Sequence, residues 1–349
     1  MTVRIRKGTI VDRVRAPNIR DVARLAGVSY QTVSRVLNDS PNIRDATKDR
    51  VLAAIDELGY RPNQAARTLV TSRSQTIGVL TSMSVHYGPT TAINALEQSA
   101  RDAGYRMSLT TLASSDDAAI RSSLDFLMSQ GIEGLVVIAP QERIIQALED
   151  AAITIPTITL DTSGRASGHS VGVDQIAGAR LATQHLIDLG HTDIVHIAGP
   201  RDWIEADARM RGYLQTLSDA DLRTRAPILG DWSAGFGYYA GKELLRYRDF
   251  TAVFAGNDQM ALGFLHACRE LGIRTPEEIS VVGFDDIPEA AHFAPPLTTV
   301  RQDFAEIGRQ AMTMLLALIG GGEGELTRVM PELVVRSSTA SAPPAPLSL

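Results

Sequence analysis

From Thr76 onward, short apolar runs alternate with segments of helical periodicity, and this alternation leaves few ways for the chain to fold. Strand-length runs occur at Ile77–Leu80, Met107–Leu109, Leu135–Ala139 and Thr157–Leu160, separated by helical patterns at Thr91–Ala103, Ala118–Gln130 and Arg143–Asp150. A second set follows, with runs at Ile194–Ile197, around Ile228, at Ala252–Ala255 and at Ile279–Val282. Its helices are predicted near Gly178–Leu189, Met210–Leu217, Phe236–Tyr247 and Met260–Leu271. Buried strands that alternate with helices pack as a parallel sheet covered on both faces. The expected fold class is therefore α/β, with two parallel doubly wound sheets forming a two-lobe core. A cleft is expected between the lobes, facing the carboxyl ends of the strands. Arg301–Leu318 adds an amphipathic helix whose inward residues are Phe304, Ile307, Ala311, Leu315 and Leu318.

The first 75 residues follow a different pattern. Asn18–Asn38 predicts two short helices with a bend between them. Ile19, Val22, Ala23 and Ala26 recur at helical spacing. Asn18 suits an N-cap, Asp21 the positive first turn, and Gly27 a bend that needs φ > 0. Ser29 can cap a second helix whose inward face is Val33, Val36 and Leu37. Tyr30, Gln31, Ser34 and Arg35 then point outward, with Gln31 and Arg35 on adjacent turns. Gln pairs with adenine edges and Arg with guanine edges in a major groove. A helical hairpin with a polar outer face is the alternative reading of this stretch alone. A third helix near Asp45, with Val51, Ala54, Ile55 and Leu58 inward, completes an all-α helix-turn-helix bundle able to present the second helix. Asn63–Leu69 is short and helix-compatible, and Thr71–Ser74 reads as a linker.

Charge separates the two parts. Residues 1–75 carry 14 Lys and Arg against 7 Asp and Glu, net +7; the other 20 basic and 33 acidic residues leave the remainder at −13. Attraction for phosphates is thus confined to the head, while the body repels nucleic acid. At 349 residues two or three domains are expected. No apolar run approaches the roughly 20 residues of a membrane span. Met1–Ala16 is basic without an apolar core, so it reads as a disordered extension and not a secretory signal. Cys268 is the only cysteine, which excludes an intramolecular disulfide. The expected location is the cytoplasm, on the nucleoid. There is no His-x-x-x-His or phosphate-binding Walker loop, so neither an enzyme nor a metal or cofactor site is expected.

Gly27-Val28-Ser29-Tyr30-Gln31-Thr32-Val33-Ser34-Arg35-Val36 resembles the recognition element of the LacI/GalR family of transcriptional regulators. Tyr60-x-Pro62-Asn63-x-x-Ala66-Arg67-x-Leu69 resembles that family's hinge helix. Arg209-x-x-Gly212-Tyr213, Gly230-Asp231-Trp232-Ser233-Ala234, Asn257-Asp258-Gln259-Met260-Ala261 and Val282-Gly283-Phe284-Asp285-Asp286 resemble, in order, its periplasmic-binding-protein-like core. The resemblance implies major-groove contacts from Ser29, Tyr30, Gln31, Thr32, Ser34, Arg35, Asn38 and Asn42. It also implies minor-groove contacts from Asn63, Ala66, Arg67 and Leu69, with Leu69 wedged between base pairs. For the effector it implies Ser82, His86, Asp161, Arg209, Asn257, Asp285 and Gln302, and Trp232 is the candidate ring against a sugar's C–H face.

On this resemblance the expected domains are an extension at 1–17, the DNA-binding head at 18–61, and a hinge helix and linker at 62–74. The effector-binding core at 75–340 follows, and then a disordered tail at 341–349. Within the core, one subdomain would comprise 75–173 with 303–331, and the other 174–302 with 332–340. The expected function is repression of sugar-catabolism genes, relieved when a β-galactoside or other β-glycoside binds between the lobes. A purine-type co-repressed regulator and a sugar receptor that does not bind DNA are the alternatives. Ser337–Leu349 carries no leucine heptad, so the expected assembly is a homodimer without the tetramer-forming tail known in the family. Its partners would be a pseudo-palindromic operator and a small-molecule sugar, with no membrane.

Overall fold

The structure is a computed structural model, and it describes residues 17–37, 43–61, 73–82, 86–139, 141–151, 153–161, 169–324 and 327–343. The basic extension, Asn38, Asn42, the whole hinge segment with Asn63, Ala66, Arg67 and Leu69, and the tail from 344 onward lie outside the described residues. The chain divides into two units, residues 1–74 and 75–349.

The head contains three helices, α1 (Ile19–Ala26), α2 (Tyr30–Leu37) and α3 (Asp45–Leu58). The Asn18 side chain accepts from the backbone N–H groups of Arg20 and Asp21, and the Asp21 carboxylate accepts from the Asn18 N–H at 3.0 Å. This reciprocal box uses donors that the first turn of a helix otherwise leaves unpaired. Gly27 ends α1 in the left-handed region at φ 65°, as the bend requires. Val22, Ala23, Ala26, Val33, Val36, Val51, Ala54 and Tyr60 form the bundle's small core.

The second unit holds both lobes. Its first sheet comprises β1 (Thr76–Ser82), β2 (Arg106–Leu112), β3 (Gly134–Ile138), β4 (Thr157–Thr159), β5 (His169–Val173) and a late strand, β11 (Thr327–Val329). All its pairings are parallel, in the order β2-β1-β3-β4-β5-β11. Helices α4 (Tyr87–Asp102), α5 (Asp117–Ser129), α6 (Glu142–Asp150) and α11 (Phe304–Ile319) cover it. In the second sheet, β6 (Ile194–Ala198), β7 (Ile228–Leu229), β8 (Ala252–Ala255) and β9 (Ser280–Val282) pair in the parallel order β7-β6-β8-β9. Its helices are α7 (Gln175–Asp188), α8 (Ile204–Asp219), α9 (Ala234–Leu244) and α10 (Asp258–Glu270). The chain passes between lobes three times, after β5, between β10 (Thr299–Arg301) and α11, and between β11 and β12 (Glu332–Val334). The pair β10–β12 is antiparallel.

Three differences from the sequence reading have local causes. Helix α4 starts at Tyr87, ahead of the helical pattern that begins at Thr91, and Pro89 is tolerated there because first-turn N–H groups have no intrahelical partner. Strands β5, β10, β11 and β12 were not foreseen, being three to five residues long and lacking an apolar run. Residues 341–343 of the expected tail lie against the core, where the Ala342 N–H donates to the Leu189 carbonyl at 2.8 Å.

Helices α9 and α10 pack backbone against backbone. A Cβ built on Gly263 would overlap the Ala234 carbonyl oxygen, and one on Gly237 would overlap that of Met260. Neither neighbour is a flexible side chain that can turn aside. Gly263→Ala is therefore expected to lower stability by about 1–3 kcal/mol or more, read as a lower thermal midpoint of the core. An unchanged midpoint would show that the two helices can separate without cost.

Candidate functional site

The first candidate surface is the outward face of α2. Val33 and Val36 anchor the helix inward, so Tyr30 (56% exposed), Gln31 and Arg35 face solvent, with Thr32 and Ser34 half-buried. The Ser29 hydroxyl accepts from the Thr32 N–H at 3.1 Å and lies 2.9 Å from the Thr32 hydroxyl. Ser29 and Thr32 thus hold the start of the helix. Gln31 and Arg35, one turn apart, are left as an amide and a guanidinium on one exposed face.

The second lies between the lobes, a cavity of about 760 Å³ including its open mouth. Each strand that feeds it ends at the cleft, so residues just past strand ends converge there. Asp161 follows β4, Gln175 follows β5, Trp232 follows β7, Asn257 follows β8 and Asp285 follows β9. Of the eight expected effector residues, His86, Asp161, Arg209, Trp232, Asn257, Asp285 and Gln302 line the cavity. Ser82 does not: it ends β1, buried, with its hydroxyl unpartnered.

A closed polar ring occupies the cavity's floor. Arg209 Nε donates to Gln175 Oε1 at 2.9 Å, and Gln175 Nε2 donates to Gln302 Oε1 at 2.9 Å. Gln302 Nε2 in turn donates to Asp285 Oδ1 at 2.6 Å, and Asp285 Oδ1 lies 3.6 Å from Arg209 Nη2. Arg209 Nη1 also donates to the Gly256 carbonyl, and the guanidinium lies 3.8 Å from the Phe284 ring centroid. All four ring members are buried. Burial pushes the Asp285 carboxyl up to about 6, and the Arg209 charge offsets this only in part. Deeper in the same lobe, Asp258 accepts from the Thr299 hydroxyl at 2.6 Å and the Ile287 N–H at 2.9 Å. Burial, and then Asp285, raise it well above the usual carboxylate range.

Two cleft residues hold left-handed backbone, Trp232 at φ 70° and Asp285 at φ 113°. Non-glycine residues pay about 1–3 kcal/mol for such positions and keep them only where neighbours over-determine them. Asn257 supplies part of that restraint. Its Nδ2 donates to the Trp232 carbonyl at 3.0 Å and to Gln259 Oε1 at 3.0 Å, while Oδ1 accepts from the Met260 N–H at 2.8 Å. Asn257 is therefore first a cap for α10 and a brace for Trp232. Trp232 packs into the lobe's core at 4% exposure while one part of it lines the cavity.

Sequence reasoning missed Gln175, Trp203 and Glu205. Gln175 starts a helix after an unforeseen strand. Trp203 sits at the mouth, with ring centroids 5.4 Å from His86 and 5.5 Å from Trp232. It also forms a backbone bridge with Gln141 of the other lobe. Burial lowers His86, against a weaker pull upward from Asp231, so a neutral imidazole faces the tryptophan. The available signal was position, since all three open helices that follow strand ends.

Among the described residues no group of His, Cys, Asp and Glu is arranged to hold a metal, and no helix is long and apolar enough to cross a membrane. The family profile described as "Bacterial regulatory proteins, lacI family" matches residues 18–63, and "Periplasmic binding protein-like domain" matches residues 183–339. The lactose operon repressor of Escherichia coli K12 is 35% identical over 325 residues, 93% of this chain and 90% of that protein. The HTH-type transcriptional repressor PurR of Serratia proteamaculans is 36% identical over 335 residues, 93% of this chain and 97% of that one. A crystal structure of the lac repressor dimer bound to operator and the anti-inducer ONPF superposes with a TM-score of 0.85 at 34% identity, covering 93% of this chain and all of that one. With its helical head and two-lobe parallel-sheet core, the chain belongs to the lacI family of bacterial regulatory proteins and is a DNA-binding transcriptional regulator.

Proposed function

We propose that the protein is a cytoplasmic homodimeric repressor of sugar-catabolism genes, released from its operator when a β-glycoside occupies the cleft. The observation that carries the sugar reading is the cleft's make-up. Two tryptophans, Trp203 and Trp232, stand with amides and carboxylates from both lobes. Planar polar groups bond vicinal hydroxyls, and indole faces cover the C–H side of a pyranose. Lobe closure on the ligand then favours one arrangement of the core, and operator affinity follows through their coupling.

For the DNA, Tyr30, Gln31 and Arg35 would read base edges, with Ser34 and the capping pair Ser29 and Thr32 near phosphates. Asn38, Asn42 and the hinge residues Asn63, Ala66, Arg67 and Leu69 keep their assigned roles as proposals. Two heads are needed to span a pseudo-palindromic site. Exposed Tyr239 and Leu262 on α9 and α10, beside a surface hollow lined by Tyr238 and His266, suit burial against a second copy. A β-galactoside is the first choice of effector and cellobiose the second.

A band shift on the DNA upstream of the protein's own gene, run with lactose, o-nitrophenyl galactoside, cellobiose, guanine and hypoxanthine, tests this. Release by a glycoside is the expected result. Release by none of the sugars, together with tightening by a purine, would replace the reading with co-repression of the kind that the PurR relative's name leaves open.

A further inference from the structure

Two cavity-lining carboxylates lie outside the polar ring, Asp161 and Glu205. Glu205 sits in the first turn of α8. Its Oε2 is sealed from solvent and has no hydrogen-bond partner, and the one backbone N–H that acts on the carboxyl group is its own. A buried acceptor without a partner costs free energy in the folded protein, so such atoms are rare unless something else supplies the donor. Trp232, another residue that lines the cavity, also has a buried polar atom without a partner, its indole N–H. One lacks a donor and the other an acceptor, and a hydroxyl group is both.

Charge narrows the ligand further. Among the described residues, the carboxylates lining the cavity are Asp161, Glu205 and Asp285, and the only Arg or Lys is Arg209. That guanidinium is already committed to Gln175, Gly256 and Asp285 and lies over Phe284. An arriving phosphate or carboxylate would meet surplus negative charge and find the one cation engaged.

We infer that Glu205 determines the ligand class of the cleft, accepting an O–H or N–H donor from an uncharged ligand and turning anionic ligands away. The inference rests on the cleft being the effector site, as proposed above, and is independent of whether the effector is a sugar or a purine. The raised Glu205 carboxyl, pushed up to about 7 by burial, is what an unrelieved acceptor in a ligand-free cavity should show. Removing it should relieve the empty protein while weakening the loaded one, the pattern of a residue kept for binding at a cost in stability.

The test uses the full-length protein, with calorimetric titration and thermal melting of wild type, Glu205→Ala and Glu205→Gln. The probes are cellobiose, lactose, the 6′-phosphates of both, guanine and hypoxanthine. The expected result is that an uncharged probe binds and its phosphorylated form does not. Glu205→Ala should weaken the bound probe at least tenfold, and Glu205→Gln should leave the ligand-free melting midpoint equal or higher. Four results would each overturn the inference. They are binding of a phosphate as tight as its neutral parent, affinity within twofold in Glu205→Ala, a ligand-free midpoint several degrees lower in Glu205→Gln, and binding of no probe at all. Glu205-dependent binding of a purine would end the sugar reading and leave this inference standing. Release from DNA by a glycoside whose affinity ignores Glu205 would do the reverse.

Discussion

Arg35→Ala should reduce operator affinity by roughly 30-fold to more than 10⁴-fold, because the proposed dimer would lose two proposed bidentate base contacts of about 1–3 kcal/mol each. The head should stay folded. Arg35 is exposed, and the bundle's core is carried by residues such as Val22, Val33 and Val51, all at 0% exposure. Thermal melting should therefore match wild type while the band shift fails. Arg24→Ala is the control, since that side chain is 80% exposed and pairs with Asp21 on α1 at 3.4 Å. It should change affinity little beyond a phosphate's salt-dependent share. A base contact also predicts relaxed discrimination at one operator position, whereas a phosphate contact weakens all sequences alike. Equal loss on every operator variant would move Arg35 from reading sequence to holding the backbone.

The second large effect is expected at Arg209. Replacing it with methionine strips the Gly256 carbonyl and Gln175 Oε1 of their donor and leaves the Asp285 carboxylate buried without its counter-charge. Breaking a buried pair on one side costs about 3–5 kcal/mol. For a core of this size the loss should appear as a fall on the order of 10 °C in its melting midpoint. The response to effector should disappear as well, because the ring joins four separate elements at the cleft's floor. DNA binding at permissive temperature should persist and become insensitive to ligand.

The deficit should also depend on pH in a stated direction. The folded pKa of Asp285 is already about 6, above its ordinary value of 3.8, and losing Arg209 raises it further. The folded state then holds this proton more tightly than the unfolded chain, so stability falls as pH rises through that window. Arg209→Met should therefore lie closest to wild type near pH 5 and furthest above pH 7. Adding Asp285→Asn removes the stranded charge and tolerates the φ of 113° better than most side chains. The double variant should regain most of the stability and none of the response. If the single variant melts like wild type at every pH, the ring is not a structural unit.

Much of this was legible residue by residue. Asn18, Asp21 and Gly27 act as the caps and bend their types suggest, because capping is settled within a few residues of chain. Strand and helix alternation from Thr76 was readable for the same reason, since apolar spacing reports which side of a local element is buried. The cleft was legible only in part. Arg209, Asp285 and Gln302 were named from family resemblance, but their closing partner Gln175 stands 127 positions from Gln302. Asn257, named as an effector contact, spends both amide hydrogens within the protein. Trp203 follows Gly199-Pro200 without any periodic signal, and only the meeting of two lobes gives it a place.

The sequence by itself determined the kinds of element, the basic head on an acidic body, and the exposed face of α2, because these depend on neighbours within a turn or on summed charge. Tertiary structure alone decided the strand order and which polar groups satisfy one another. Hydrogen-bond pairing in a buried cleft depends on atoms brought together from distant parts of the chain, and no local pattern records it. That is why Asp285 could be named in advance, while Glu205, with one carboxylate oxygen left without a partner, could be recognised only after the other polar groups had found theirs.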